Sequence, residues 1–183
     1  MKLTRLNSGS SIWLKLGIAI SLIAFVVVSR ILPHPANFAS VAAIALFGGA
    51  ILPRRWAVVT PVAAMVASDL IIGLHPLVLY TWGCFAVIAF ASNRLLSRIS
   101  VDRVAVSSMA ASVFFFLVTN FGVWMQGQMY PMTASGLVQC YINAIPFFRG
   151  TLLGDLFYSG LLFGVYAIAA SKTADLRSTH AVQ

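Results

Sequence analysis

The chain contains no glutamate, and its acidic residues are Asp69, Asp102, Asp155 and Asp175 alone. Charged residues make up 9% of the 183, where a soluble domain carries about 25%. So few charges do not cover the surface of a water-soluble globule. The missing glutamate removes zinc hydrolases of the His-Glu-x-x-His type. The Gly-x-Gly-Asp turn of intramembrane aspartyl proteases is also absent, because Leu152-Leu153 precede Gly154-Asp155. No Gly-x-Ser-Gly occurs, which argues against a rhomboid-type serine protease. There is no Gly-x-x-x-x-Gly-Lys loop to cradle a phosphate, so the chain does not hydrolyse ATP by itself. An intramembrane enzyme is therefore the weakest of the function classes. The two cysteines, Cys84 and Cys140, are not in a Cys-x-x-Cys pair and read as buried thiols rather than a zinc knot. A disulfide between them would require both to face one oxidising side.

What fills the sequence instead is apolar: 60% hydrophobic residues and a mean hydropathy of +0.94. The apolar residues form blocks near the length, about 20 residues, that spans a bilayer. They predict a single all-α membrane domain over residues 1–183, a six-transmembrane-helix bundle with helices near 12–32, 38–52, 56–73, 77–96, 104–125 and 150–170. Pro33, Pro35 and Pro53 punctuate the first two, since proline cannot continue a helical hydrogen-bond ladder. The first block is long for a signal-peptide core and is expected to stay as helix one. The mixed stretch 126–149 reads as an external loop holding a short interfacial or re-entrant helix.

The formal net charge is +8. The basic residues sit between apolar blocks and do not interleave with aromatics, so they orient the chain in a membrane rather than bind nucleic acid. With the N-terminus inside, Lys2, Arg5, Lys15, Arg54, Arg55, Arg94, Arg98, Arg103, Lys172 and Arg177 are all cytoplasmic, and Arg30 and Arg149 are not. That skew predicts an even number of spans with both termini cytoplasmic, in a bacterial inner membrane.

On this topology the remaining polar groups gather in the outward leaflet. An ionisable residue at membrane depth must pair or meet water, so such residues mark function by default. The candidate ligand-binding residues are His34, Asn37, Asp69, Tyr80, Cys84, Asn120, Trp124, Tyr141, Arg149 and Asp155. Each has a structural alternative. Asp155 near the start of helix six would be favoured there by the helix dipole and by Arg149. Asp69 has no basic neighbour in sequence. Asn120 would bond helices together. Tyr130, Tyr141, Phe147 and Phe148 would form an interfacial aromatic belt or stack on a flat ligand. Phe114, Phe115 and Phe116 read as lipid-facing or packing residues. The spacings Gly17-xxx-Ser21, Ala39-xxx-Ala43 and Gly160-xxx-Gly164 predict close helix packing, within the bundle or against a partner subunit.

The strings Leu32-Pro33-His34-Pro35-Ala36-Asn37-Phe38, Ala42 to Ala50, Ser68-Asp69-Leu70, Thr119-Asn120-Phe121-Gly122-Val123-Trp124 and Ala144-Ile145-Pro146-Phe147-Phe148 resemble a family of uncharacterised bacterial membrane proteins described as transporters. The likeness spans about residues 30–165. More loosely, the architecture resembles the S components of energy-coupling-factor vitamin transporters. These are six-helix proteins with both ends cytoplasmic, which bind a vitamin near the outer face through the first, third and fifth loops. The resemblance implies a transport protein that binds a small polar solute at an outward-facing site. The implied partners are that solute, the lipid bilayer and an energising transporter module. Many S components carry an Ala-xxx-Ala pair on helix one, whereas here the pair lies on helix two, which leaves room for a protein working alone. Some solitary S-component-like proteins bind cobalamin. A corrinoid would take Cys84 as a cobalt ligand, thiolate being a soft ligand for a transition metal. No resident cofactor and no other metal site are expected. The competing class is a structural or assembly subunit of a membrane complex.

Overall fold

A computed structural model describes residues 11–33, 35 and 37–180, with side chains described as far as Ser171. The described residues form six α-helices: α1 (Ile12–Ile31), α2 (Val41–Ile51), α3 (Arg54–Ile72), α4 (Val78–Leu95), α5 (Val101–Met125) and α6 (Ala134–His180). Proline and glycine set several of the ends. Leu32 and Leu52 are extended because each precedes a proline, which disfavours the helical region for the residue before it. Gly73 ends α3 at φ +115°, a conformation a side chain rarely tolerates. Ser100 caps α5 by accepting from the Arg103 N–H.

The helices alternate in direction. Arg30 at the end of α1 bonds Ser68 at the end of α3, so these two run the same way. Ser92 and Asn93 at the end of α4 donate to the Leu46 and Gly49 carbonyls of α2, so α2 and α4 also run together. Trp82, early in α4, reaches Asp69, late in α3, which makes that pair antiparallel. Phe85 stacks on Phe115, and Ser159 bonds Ser108, so α5 opposes both α4 and α6. The described residues therefore pass back and forth six times. Residues 32, 33, 35, 37–40, 73–77 and 126–133 gather at one end of the bundle, here the loop end. Arg54, Arg55, Arg94, Arg98 and Arg103 gather at the other, the arginine end.

Five helices are long and apolar enough to cross a membrane, and α2 is not among them. Its 11 residues rise only ~16 Å, about half of a hydrocarbon core. The expected span at 38–52 is thus a short helix, entered from a turn at 35–38 and left through the extended Leu52. All 11 of its residues are buried, and it touches each of the other five helices. A helix that is apolar all round belongs at the centre of a bundle. Small residues permit this. A Cβ on Gly49 would lie 2.4 Å from the Ala89 carbonyl oxygen and 2.6 Å from Ser92 Cβ, so α2 and α4 are in backbone contact there.

The largest departure from expectation is α6. It is one helix of 47 residues, roughly 70 Å long, and it begins at Ala134 rather than near residue 150. Pro146 lies inside it. In a bundle, neighbouring helices can re-satisfy the carbonyl that such a proline frees. The loop between α5 and α6 shrinks accordingly to residues 126–133, pinned by the Trp124 indole N–H on the Pro131 carbonyl.

The outward surface of the bundle is apolar. Ile20, Val59, Leu70, Leu79, Val106, Leu161 and Val165 are all exposed. In water this surface would be a very large hydrophobic patch. Against lipid tails it needs no further partner, and helix association then rests on close packing and interhelical hydrogen bonds.

Candidate functional site

Two knots of buried polar groups lie within the helices. The first joins α1, α3 and α4. Arg30 Nη1 lies 2.7 Å from Asp69 Oδ1, with the aspartate side chain 1% and the arginine 17% exposed. Nη1 also has Ser68 Oγ at 2.6 Å and Met65 Sδ at 3.2 Å as acceptors. Its two hydrogens are thereby taken, so Oδ1 gains the charge of the guanidinium but accepts no hydrogen bond. Oδ2 accepts from the Trp82 indole at 2.7 Å. His75 Nε2 stands 3.9 Å from the same oxygen. The His75 Nδ1 accepts from the Leu77 N–H at 3.2 Å.

The second knot joins α5 and α6. Asp155 is 3% exposed, and its Oδ2 accepts from Ser112 Oγ at 2.6 Å. Among the described residues the carboxylate has no cation and no second donor. One turn further along α6, the Ser159 hydroxyl donates to Ser108.

Between the knots lies a cavity of about 330 Å³, on whose wall stand Arg30, His75, Asn37, Thr81, Thr151 and Asp155, with Phe85, Phe115, Met65 and Ile72 as apolar lining. A second volume of about 240 Å³ shares Asn37, Thr81, Phe115 and Thr151 with it and adds Asn120, Thr119, Phe147 and Phe148. Asn37 has φ +59°, a left-handed conformation that asparagine tolerates better than most residues, and it stands on both walls. The floor of the first cavity is deep. Ser112, which holds Asp155, is near the middle of the 25-residue α5.

Of the sequence-predicted site residues, Asn37, Asp155 and Asn120 line these two volumes, and Asp69 stands behind Arg30. His34 lies outside the described residues, as do Lys2 and Arg5. The other five stand elsewhere. Tyr80 packs its ring against Gly122 of α5. Cys84 is 2% exposed and on neither wall. Trp124 closes the 126–133 turn, and Tyr141 bonds the Leu117 carbonyl across α5 and α6. Arg149 is exposed on α6 and does not pair with Asp155. Because α6 starts at Ala134, Asp155 lies 21 residues into the helix, ~32 Å from its N-terminus. The helix-dipole explanation for that aspartate falls away.

Arg30, His75, Thr81, Phe85, Phe115 and Thr151 escaped the sequence reading as site residues. Arg30 had a signal, as one of two basic residues breaking the one-sided charge pattern. Phe115 read as packing or lipid-facing, but it stacks on Phe85 with ring centroids 5.1 Å apart and lines both volumes. Gly160 and Gly164 meet nothing within 4 Å, so this small-residue pair is not used inside the bundle.

A search of curated proteins and a search of solved structures found no match. One family model matches residues 10–178, nearly the whole chain, and the chain therefore belongs to that family, a family of unknown function (DUF6580).

Proposed function

We propose that this chain is a bacterial inner-membrane protein, with both ends cytoplasmic, that binds a small polar solute at an outward-facing site and mediates its uptake. The observation that carries the reading is the polar cavity between Arg30 and Asp155. Arg30 and Asp155 on the lining of one cavity, inside an apolar bundle, are hard to explain by packing, since each charge at membrane depth is unfavourable by several kcal/mol. The arginine end supplies the orientation: basic flanks favour the cytoplasm, which turns the loop end outward. An alternating six-helix bundle with a pocket at one end supports an S-component-like mode, in which another subunit or an ion gradient provides the energy. A cavity of about 330 Å³ is at the small end of ligand sites, and Cys84 stands off its wall, so cobalt ligation of a corrinoid gains no support from the geometry.

The test is to purify the chain and identify bound small molecules by mass spectrometry, then repeat with Thr151→Trp. Residue 151 lies where the two volumes meet. A solute that co-purifies with the wild type is expected to be lost from the folded variant. A variant that retains it, or a wild type that carries none and is stabilised by none, contradicts the reading.

One observation favours the assembly-subunit reading instead. Gly160 and Gly164 line an apolar groove of about 670 Å³ between α5 and α6. Solute-dependent stabilisation of the isolated chain separates the two readings, because an assembly subunit has no reason to show it.

A further inference from the structure

We infer that the solute taken by this cavity is a small organic cation with an apolar body, whose charged group pairs with Asp155. The inference rests on the solute-binding reading and names the chemistry of the ligand.

Charge on the cavity is the first ground. Arg30 and Asp69 neutralise each other at 2.7 Å. His75 is turned to that same pair, with Nε2 3.9 Å from Asp69 Oδ2 and Nδ1 accepting from the Leu77 N–H. Asp155 is what remains. Its carboxylate is buried, stands on the cavity wall and has a single hydroxyl donor in Ser112. An ionised carboxylate removed from water needs a cation and several donors, and here the protein supplies neither beyond that hydroxyl. A ligand ammonium or amidinium in the cavity supplies both at once. A ligand carboxylate brings a second negative charge to the same space. A zwitterion leaves the site with its uncompensated charge, because its anionic end has only a guanidinium already engaged by Asp69.

The second ground is the lining beside Asp155. Phe85 and Phe115 are stacked and stand on the wall with Met65 and Ile72. Aromatic and thioether groups suit the apolar body of an organic cation, and ring faces attract the charge itself. A bare inorganic cation has no use for this lining. Among the described residues no cluster of three His, Cys, Asp or Glu is suited to a metal ion.

The test uses four probes of similar size that differ in charge: 2-phenylethylamine, 3-phenylpropanol, 3-phenylpropionate and phenylalanine. Each is titrated into the full-length protein in detergent, with equilibrium binding and thermal unfolding as readouts. The amine is expected to bind at least tenfold more tightly than the alcohol, the acid and the amino acid. Asp155→Asn, which keeps an acceptor for the Ser112 hydroxyl, is expected to remove that preference. Tighter binding of the acid, the amino acid or the alcohol overturns the cation assignment and leaves the solute-binding reading standing. An amine preference that survives Asp155→Asn overturns the role of that residue. Should the variant fail to fold, the wild-type ranking of the four probes still decides the charge. If none of the four binds at millimolar concentration, the assignment and the reading beneath it both fall.

Discussion

Arg30 and Asp69 hold α1 to α3 through one charge contact, and the geometry predicts an asymmetric response to mutation. Removing the arginine leaves a carboxylate, 1% exposed, with only the Trp82 indole bonded to it. Breaking a buried pair by removing one partner destabilises by about 3–5 kcal/mol. Arg30→Ala is therefore expected to lower stability by that order in denaturant titrations of the detergent-solubilised protein. Adding Asp69→Asn to Arg30→Ala is expected to restore much of the loss, since the second change removes the stranded charge. A double variant no more stable than Arg30→Ala would show that the two groups are not coupled. Asp69 was recognisable in the sequence as an anomaly at membrane depth, but its partner was not. The two are 39 positions apart, and only the parallel course of α1 and α3 brings them together. The same holds for Ser112 and Asp155, 43 positions apart. Sequence shows which buried groups need partners, and tertiary packing supplies the partner.

Helix existence was legible in the sequence, and helix ends were legible where proline or glycine stood at a boundary, as at Leu32, Leu52 and Gly73. The reading carried a helix correctly through Pro61 of α3 but not through Pro146 of α6. Pro146 looked like part of a loop, yet α6 runs through it, which moves Asp155 from the first turns of a helix to its middle. Small residues divide in the same way. Gly49 is pressed against α4, whereas Gly160 faces open space, and nothing in the two local sequences separates them. Gly49→Ala is expected to destabilise the isolated protein by about 1–3 kcal/mol, the usual range for overpacking. Gly160→Ala is expected to stay within about 0.5 kcal/mol, as surface substitutions do. Equal effects from the two, measured by the same unfolding titration, would contradict the central placement of α2.

For the whole molecule, the described residues form six helices of alternating direction, five of them long and apolar enough to cross a membrane, with α2 a half-length helix at the centre. That arrangement leaves the centre of the bundle filled by α2 at the arginine end and open at the loop end, where the cavity lies. An outward, water-accessible site follows if the basic residues face the cytoplasm. The decisive measurement is labelling of intact cells with a membrane-impermeant thiol reagent, in a background of Cys84→Ser and Cys140→Ser. Asn37→Cys and Thr151→Cys, on the cavity wall, are expected to react from outside, and Arg98→Cys, at the arginine end, is expected to react only after the cells are opened. Labelling of position 98 in intact cells, with positions 37 and 151 silent until lysis, would contradict the outward-facing site.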